Sequence, residues 1–141
     1  MSVSWFFDTN ILIHSVSEDD ARAAIAQRLL AAGGHISVQV LNEFAAVARR
    51  KLQKSWAEIA EALEDIRSLC EPAAPLTVSI HEAALKIAAD TGYNIYDALI
   101  LAVALDARCD TVYSEDMQNG LLVDQQLRIR NPFAAPVSPA S

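Results

Sequence analysis

Four acids stand in apolar surroundings without a basic neighbour in sequence. Asp8 interrupts "WFFDTNILIHS" at residues 5–15, between Trp5, Phe6 and Phe7 on one side and Ile11, Leu12 and Ile13 on the other. Glu43 sits at the edge of an apolar helical stripe built from Val40, Leu41, Phe44, Val47 and Ala48. Asp97 opens "YDALILAVALDAR", and Asp116 lies in "SEDMQNG" just after the β-forming "TVY". A carboxylate taken out of water costs several kcal/mol, or takes up a proton, unless something pairs with it. The first Lys or Arg of the chain is Arg22, so Asp8 must find its partner far along the sequence or outside it.

Taken singly, three of these acids have ordinary readings. Asp97 suits the positive end of a helix dipole, Asp116 suits a turn, and Glu43 suits a solvated helix face. Taken together they repel one another and cannot all ionise without cations. A hard divalent ion such as Mg²⁺ answers that need, because it takes oxygen ligands, keeps several waters and completes its shell with substrate phosphate. The chemistry this implies is phosphoryl transfer or phosphodiester hydrolysis.

Positioning four acids needs a scaffold, and the sequence alternates short strands with longer helices. Val3 to Phe7 reads as a strand ending at Asp8, with "DTN" as a turn. A helix start at Ser17-Glu18-Asp19-Asp20 leads to about Leu30 and stops at Gly33-Gly34. His35 to Val38 reads as a second strand, and the Glu43 helix follows from Gln39. Ser55 and Glu58 have capping-box spacing ahead of Trp56, Ile59, Leu63, Ile66 and Cys70. Leu76 to Val78 reads as a strand, and Ser79 with Glu82 as the cap of a helix reaching Gly92. The Asp97 segment is apolar almost all round, which predicts a buried helix. Thr111 to Tyr113 and Leu127 to Ile129 read as strands. This order implies an α/β fold, a three-layer α/β/α sandwich with a central, mainly parallel sheet. Ligands of such sheets bind beyond the carboxyl ends of the strands, where Asp8 and Asp116 lie.

The composition agrees. A chain of 141 residues suits one domain, here residues 1–133, with 134–141 as a frayed tail marked by the proline-rich "NPFAAPVSPAS". An apolar content of 52% against 21% charged supports a packed core. The longest apolar run, Ala98 to Leu105, is far short of the ~20 residues that span a bilayer. No basic region precedes the first apolar stretch, so a cytoplasmic protein without a membrane anchor is expected. Cys70 and Cys109 form no metal or redox motif. The net charge of −7 argues against nucleic-acid binding by bulk charge.

Other chemistries fail on residue types. "HEAAL" begins like a zinc-protease helix, but Leu85 stands where the second histidine would be. His14 and His35 read as structural histidines. An aspartyl-phosphate phosphatase would want an acid two residues after Asp8, and Asn10 stands there. The basic cluster "RRKLQK", with Arg49, Arg50, Lys51 and Lys54, reads either as a helix C-terminus complementing its dipole or as a grip for RNA phosphates. Arg128 and Arg130, on one side of a strand, could serve the same end. In "YSEDM" the period-two alternation places Ser114 and Asp116 together on the crevice side and Glu115 toward solvent.

The ordered set "FFDTNILIHS", "LNEF", "NIYDALILAVAL" and "VYSEDMQNG" resembles the PIN-domain ribonucleases, and within them the VapC-like toxins of toxin-antitoxin pairs. The resemblance implies a Mg²⁺- or Mn²⁺-dependent endoribonuclease with Asp8, Glu43, Asp97 and Asp116 as its catalytic, metal-binding acids. It makes Thr9, Asn10 and Ser114 their hydrogen-bonding support. It further implies RNA as substrate, a homodimer, and a cognate antitoxin that covers the site. Some members carry another acid shortly after the last one, where this chain has Asn119. A noncatalytic PIN-like module that binds RNA or protein is the alternative, and such modules commonly lack one or more of the acids.

Overall fold

The computed structural model describes residues 4–134. The elements run β1 (Trp5–Phe7), α1 (Thr9–Ser15), α2 (Asp20–Ala31), α3 (Val38–Arg50), α4 (Trp56–Leu69), α5 (Val78–Thr91), α6 (Ile95–Asp106), β2 (Thr111–Tyr113), β3 (Leu122–Val123) and β4 (Leu127–Arg130). The sheet order is β1-β2-β4-β3, with β1, β2 and β4 parallel and only the edge strand β3 antiparallel. Phe6 and Phe7 point to opposite faces of β1, and both are fully buried, so helices cover the sheet from both sides there. The fold is the α/β class that the sequence predicts.

The parallel register decides where the chemistry can be. Phe7 pairs with Tyr113, and Tyr113 with Arg130, so Asp8 and Ser114 emerge abreast at the carboxyl ends of β1 and β2. Close packing under β1 fixes that edge. A Cβ added at Gly34 would come within 2.8 Å of Phe7 Cζ and closer still to the neighbouring ring carbon, and the buried ring has nowhere to move.

Helix α2 runs one residue past the expected Leu30, and Asp19 caps it by accepting from the Arg22 N–H. Ser55 and Glu58 complete a full capping box on α4. Gly92 closes α5 in the left-handed conformation, and α6 is buried along Ala98 and Ile100–Ala104.

Four local expectations need correction. The "DTN" turn is a helix start: Asp8 is the N-cap of α1, its carboxylate accepting from the Thr9 N–H at 2.7 Å. His35 to Val38 makes only single bridges, Phe6 to His35 and Ser37 to Ala74, because Ser37 already caps α3. Leu76 to Val78 is not a strand, since Thr77 caps α5 through its hydroxyl at 3.1 Å from the Ile80 N–H. That same cap replaces the expected Ser79–Glu82 box. Strand β3 had no sequence signal; its turn into β4 places Asp124 and Gln125 at φ 51° and 55°, a conformation that Gly or Asn would have advertised. Val3 and most of the expected tail, residues 135–141, lie outside the described residues.

Candidate active site

Three elements and one loop bring the four acids into one electrostatic neighbourhood. Asp8 leaves β1, Glu43 stands mid-way along α3, Asp97 lies in the first turn of α6, and Asp116 follows β2. Asp8 is only 5% exposed. Burial pushes its carboxyl up to about 7, against the opposing pull of hydrogen bonds from Ser114 and Thr9, and the charges of Asp97 and Glu43 add to the rise. The Asp97 carboxyl is also raised, first by burial and then by the negative charges of Asp116 and Glu43, while its bond with Asn94 opposes the shift. Each raised acid therefore feels two of the other acids, Glu43 in both cases.

Hydrogen bonds hold these acids without neutralising them. Ser114 Oγ donates to Asp8 Oδ2 at 2.7 Å and receives the N–H groups of Asp116 at 3.2 Å and Met117 at 3.4 Å. Asn10 Nδ2 donates to Asp116 Oδ2 at 3.2 Å and, more weakly, to Asp8 Oδ2 at 3.4 Å. The Thr9 hydroxyl donates to Glu43 Oε2 at 2.8 Å. Thr9, Asn10 and Ser114 each donate a hydrogen bond to at least one of the four acids. Among the described residues, the ion pairs are His14–Glu115, Arg22–Asp19 and Arg22–Glu115, and none touches the four acids.

Two supports had no flag in the sequence. Gln39 is buried, donates to Glu43 Oε1 at 2.8 Å and to the Tyr96 carbonyl at 2.9 Å, and so ties α3 to the start of α6. Its i,i+4 spacing from Glu43 was the available signal. Asn94 caps α6 by accepting from the Asp97 N–H at 2.9 Å, and its amide reaches Asp97 Oδ2 at 3.3 Å.

The "YSEDM" expectation is half corrected. Asp116 does share Asn10 and Ser114 with Asp8, but its side chain is the exposed one. Glu115, expected in solvent, is turned toward α1 and α2 with a side chain 23% exposed and is paired with His14 and Arg22. This pairing gives His14 its structural role. Asn119 is structural too, its Oδ1 accepting from the Asn131 N–H at 2.9 Å.

The basic residues stand apart from the acids. Arg49 and Arg50 end α3, about two turns from Glu43. Arg49 lies over the Trp56 ring at 5.2 Å and donates to the Lys54 carbonyl at 3.1 Å, with Lys51 as the C-cap. Arg128 donates to the Gly120 carbonyl at 2.8 Å, and Arg130 is exposed. A cavity of about 810 Å³ between α5, α6 and the β3–β4 hairpin is lined by residues such as Lys86, Asp90, Tyr93 and Asp124 and by none of the four acids.

Comparison with known families places this arrangement. The PIN domain family model matches residues 5–118, a span that contains all four acids. The chain belongs to the PIN domain family. Several solved structures share its fold at low identity. VapC20 of Mycobacterium tuberculosis, a sarcin-ricin loop cleaving toxin, is 24% identical over 80% of this chain and 90% of its own, with a TM-score of 0.65. A toxin-antitoxin complex from Klebsiella pneumoniae is 20% identical over 95% of this chain and 100% of the other, with a TM-score of 0.70. VapBC2 of Rickettsia felis, bound to a promoter DNA fragment, is 16% identical over 90% and 97%, with a TM-score of 0.63. Among curated proteins no significant match is found.

The donor set of this PIN domain suits a hard divalent ion. All four groups are carboxylates, and the support around them is made of hydroxyls and amides. Among the described residues no three His, Cys, Asp or Glu side chains close into a ready-made metal-binding group. The raised Asp8 and Asp97 carboxyls show that the acids share a field rather than a tight shell.

Proposed function

We propose that this protein is a Mg²⁺- or Mn²⁺-dependent endoribonuclease and the toxin of a toxin-antitoxin pair. The observation that carries the reading is Asp8: a carboxyl 5% exposed and poised near neutral pH, beside the charges of Glu43 and Asp97, with no ion pair among the described residues to balance it. The toxin assignment draws on the relatives, whose structures are toxins or toxin-antitoxin complexes. Cognate antitoxin, homodimer and cytoplasmic location follow from that assignment. No described helix is long and apolar enough to cross a membrane.

Asp8, Glu43, Asp97 and Asp116 are the residues that would hold the ion. When bound, a divalent ion supplies a water acidic enough to ionise near neutral pH and positive charge for phosphate oxygens. The chain's own groups do the rest. Thr9 and Gln39 fix the two oxygens of Glu43, Ser114 and the Thr9 N–H fix those of Asp8, and Asn10 holds Asp116. Asp8, whose buried carboxyl lies at about 7 without metal, would give up its proton as the site fills, because the ionised form is the ligand. Arg49, Arg50, Lys51 and Lys54 form the nearest basic group along α3 and would meet RNA phosphates flanking the scissile bond.

The test is cleavage of structured RNA by the purified chain. Activity should vanish in EDTA and return with Mg²⁺ or Mn²⁺ but not with Ca²⁺, whose longer, flexible bonds position water poorly. Equal activity without metal would overturn the mechanism. No cleavage with any metal would leave the noncatalytic binding module.

A further inference from the structure

The Asp116 loop is anchored at a point that belongs to no catalytic acid. Glu115 lies between Ser114 and Asp116, and its side chain turns away from both toward α1 and α2. There Oε1 meets His14 Nε2 at 2.7 Å, and Oε2 accepts from Arg22 Nη1. The Glu115 N–H donates to Asn10 Oδ1 at 3.3 Å, and the Nδ2 of the same Asn10 holds Asp116. Asn10 therefore grips the loop on both sides of one peptide, while Glu115 fixes that peptide from behind.

A second contact supports the anchor from the chain's far end. Phe133 meets the His14 ring edge-on at 4.6 Å between centroids and lies beneath the Arg22 guanidinium at 5.4 Å. Its own N–H donates to Asn131 Oδ1, and the Asn131 N–H donates to Asn119 at the other end of the loop. Both side chains that grip Glu115 are thus packed on one ring. Arg22 also neutralises a carboxylate that would otherwise be a fifth charge beside the four acids.

We propose that Glu115, clamped by Arg22 and His14 over Phe133, is a positioning residue that presents Asp116 to the divalent ion. The proposal rests on the metal-dependent reading of the site but assigns a separate part. Asp116 is exposed and, among the described residues, has only Asn10 on its carboxylate, so its direction depends on its backbone, and Glu115 holds that backbone. Groups that orient metal ligands without touching the metal commonly change affinity by ~10-fold or more when removed. The role falls on metal affinity rather than on the chemical step.

The experiment titrates Mn²⁺ into the full chain, following binding by electron paramagnetic resonance and, separately, RNA cleavage. Glu115→Ala should weaken Mn²⁺ binding by ~10-fold and raise the half-saturating Mn²⁺ for cleavage equally, with turnover at saturating Mn²⁺ within about threefold of the parent. Glu115→Gln, whose amide oxygen can still accept from Arg22, should lose clearly less. The double variant His14→Ala/Arg22→Ala should reproduce the Glu115→Ala loss, and adding Glu115→Ala to it should change nothing further. Parental Mn²⁺ affinity in Glu115→Ala, whatever its melting temperature, would overturn the proposal, as would a parent that binds no Mn²⁺ or fully additive losses. A parent that binds Mn²⁺ yet cuts no RNA would overturn the nuclease reading while the binding data still decide the role of Glu115.

Discussion

The Ser114 hydroxyl donates to Asp8 Oδ2 at 2.7 Å across the parallel pair β1–β2, one residue beyond the Phe7–Tyr113 register. That single bond lowers the Asp8 pKa against the burial that raises it. Ser114→Ala should therefore move the ionisation of Asp8 upward. Because a divalent ion binds the ionised carboxylate, the alkaline-rising limb of the pH–activity profile should shift to higher pH, and the shift should shrink as Mg²⁺ is raised. A pH–rate series at two Mg²⁺ concentrations checks this; a limb that stays in place would mean that another group controls it.

Asp8 also sets a stability prediction for metal-free protein. Its folded pKa of about 7 lies above the ordinary 3.8. The folded state then holds a proton that the unfolded chain releases, so this group's favourable contribution is complete below about pH 4 and is lost as pH rises to about 7. Asp8→Asn removes that loss and keeps a good N-cap for α1. Its melting temperature should match the parent near pH 4 and exceed it increasingly up to pH 7–8, with a stability gain on the order of a few kcal/mol at most. Melting curves in EDTA from pH 4 to 8 test it, and a variant less stable at every pH would show that Asp8 is bound by a favourable partner.

The α3–α6 side of the site is held by Thr9 and Gln39. Thr9→Val keeps shape and the backbone cap but deletes the hydroxyl that reaches Glu43. Glu43 retains Gln39, so stability should change by about 1 kcal/mol or less while turnover falls roughly tenfold. Thr9→Ser should restore most of it. Steady-state cleavage with thermal melts would separate the two effects.

The acids were legible because they violate a rule whose cost is large: a carboxylate does not sit among Phe7, Ile11 and Leu12 for nothing. Helix α4 was legible because its capping box and apolar spacing agree over 14 residues, and α6 because its segment is apolar almost all round. Where the signal was short it misled. Asp8-Thr9-Asn10 has the same residue types as a turn and as a helix N-terminus, and only the tertiary fold chose the latter. In "TVSIHE" both Thr77 and Ser79 are good caps, and the bridge from Ser37 to Ala74 leaves the chain to turn into helix at Thr77. The tie from Gln39 to α6 and the anchoring of Glu115 were not legible, because those partners lie 57 and 93–101 residues away.

Asp116 is the acid whose loss should separate function from stability most cleanly. Its side chain is exposed, with one side-chain bond, from Asn10 at 3.2 Å. Its charge is, after burial, the largest cause of the raised Asp97 pKa. Asp116→Asn therefore removes a ligand and relieves Asp97 at the same time. The fold loses little, since exposed substitutions away from caps and cores stay within about 0.5 kcal/mol. Metal binding loses a full carboxylate, and turnover should fall by ~10²-fold or more, the scale of one strong electrostatic contact in a catalytic site. Asp8→Asn should be equally inactive but more stable than the parent at neutral pH, so the two variants agree in activity and differ in melting temperature. An Asp116→Asn protein that cuts RNA at the parental rate would remove Asp116 from the metal site.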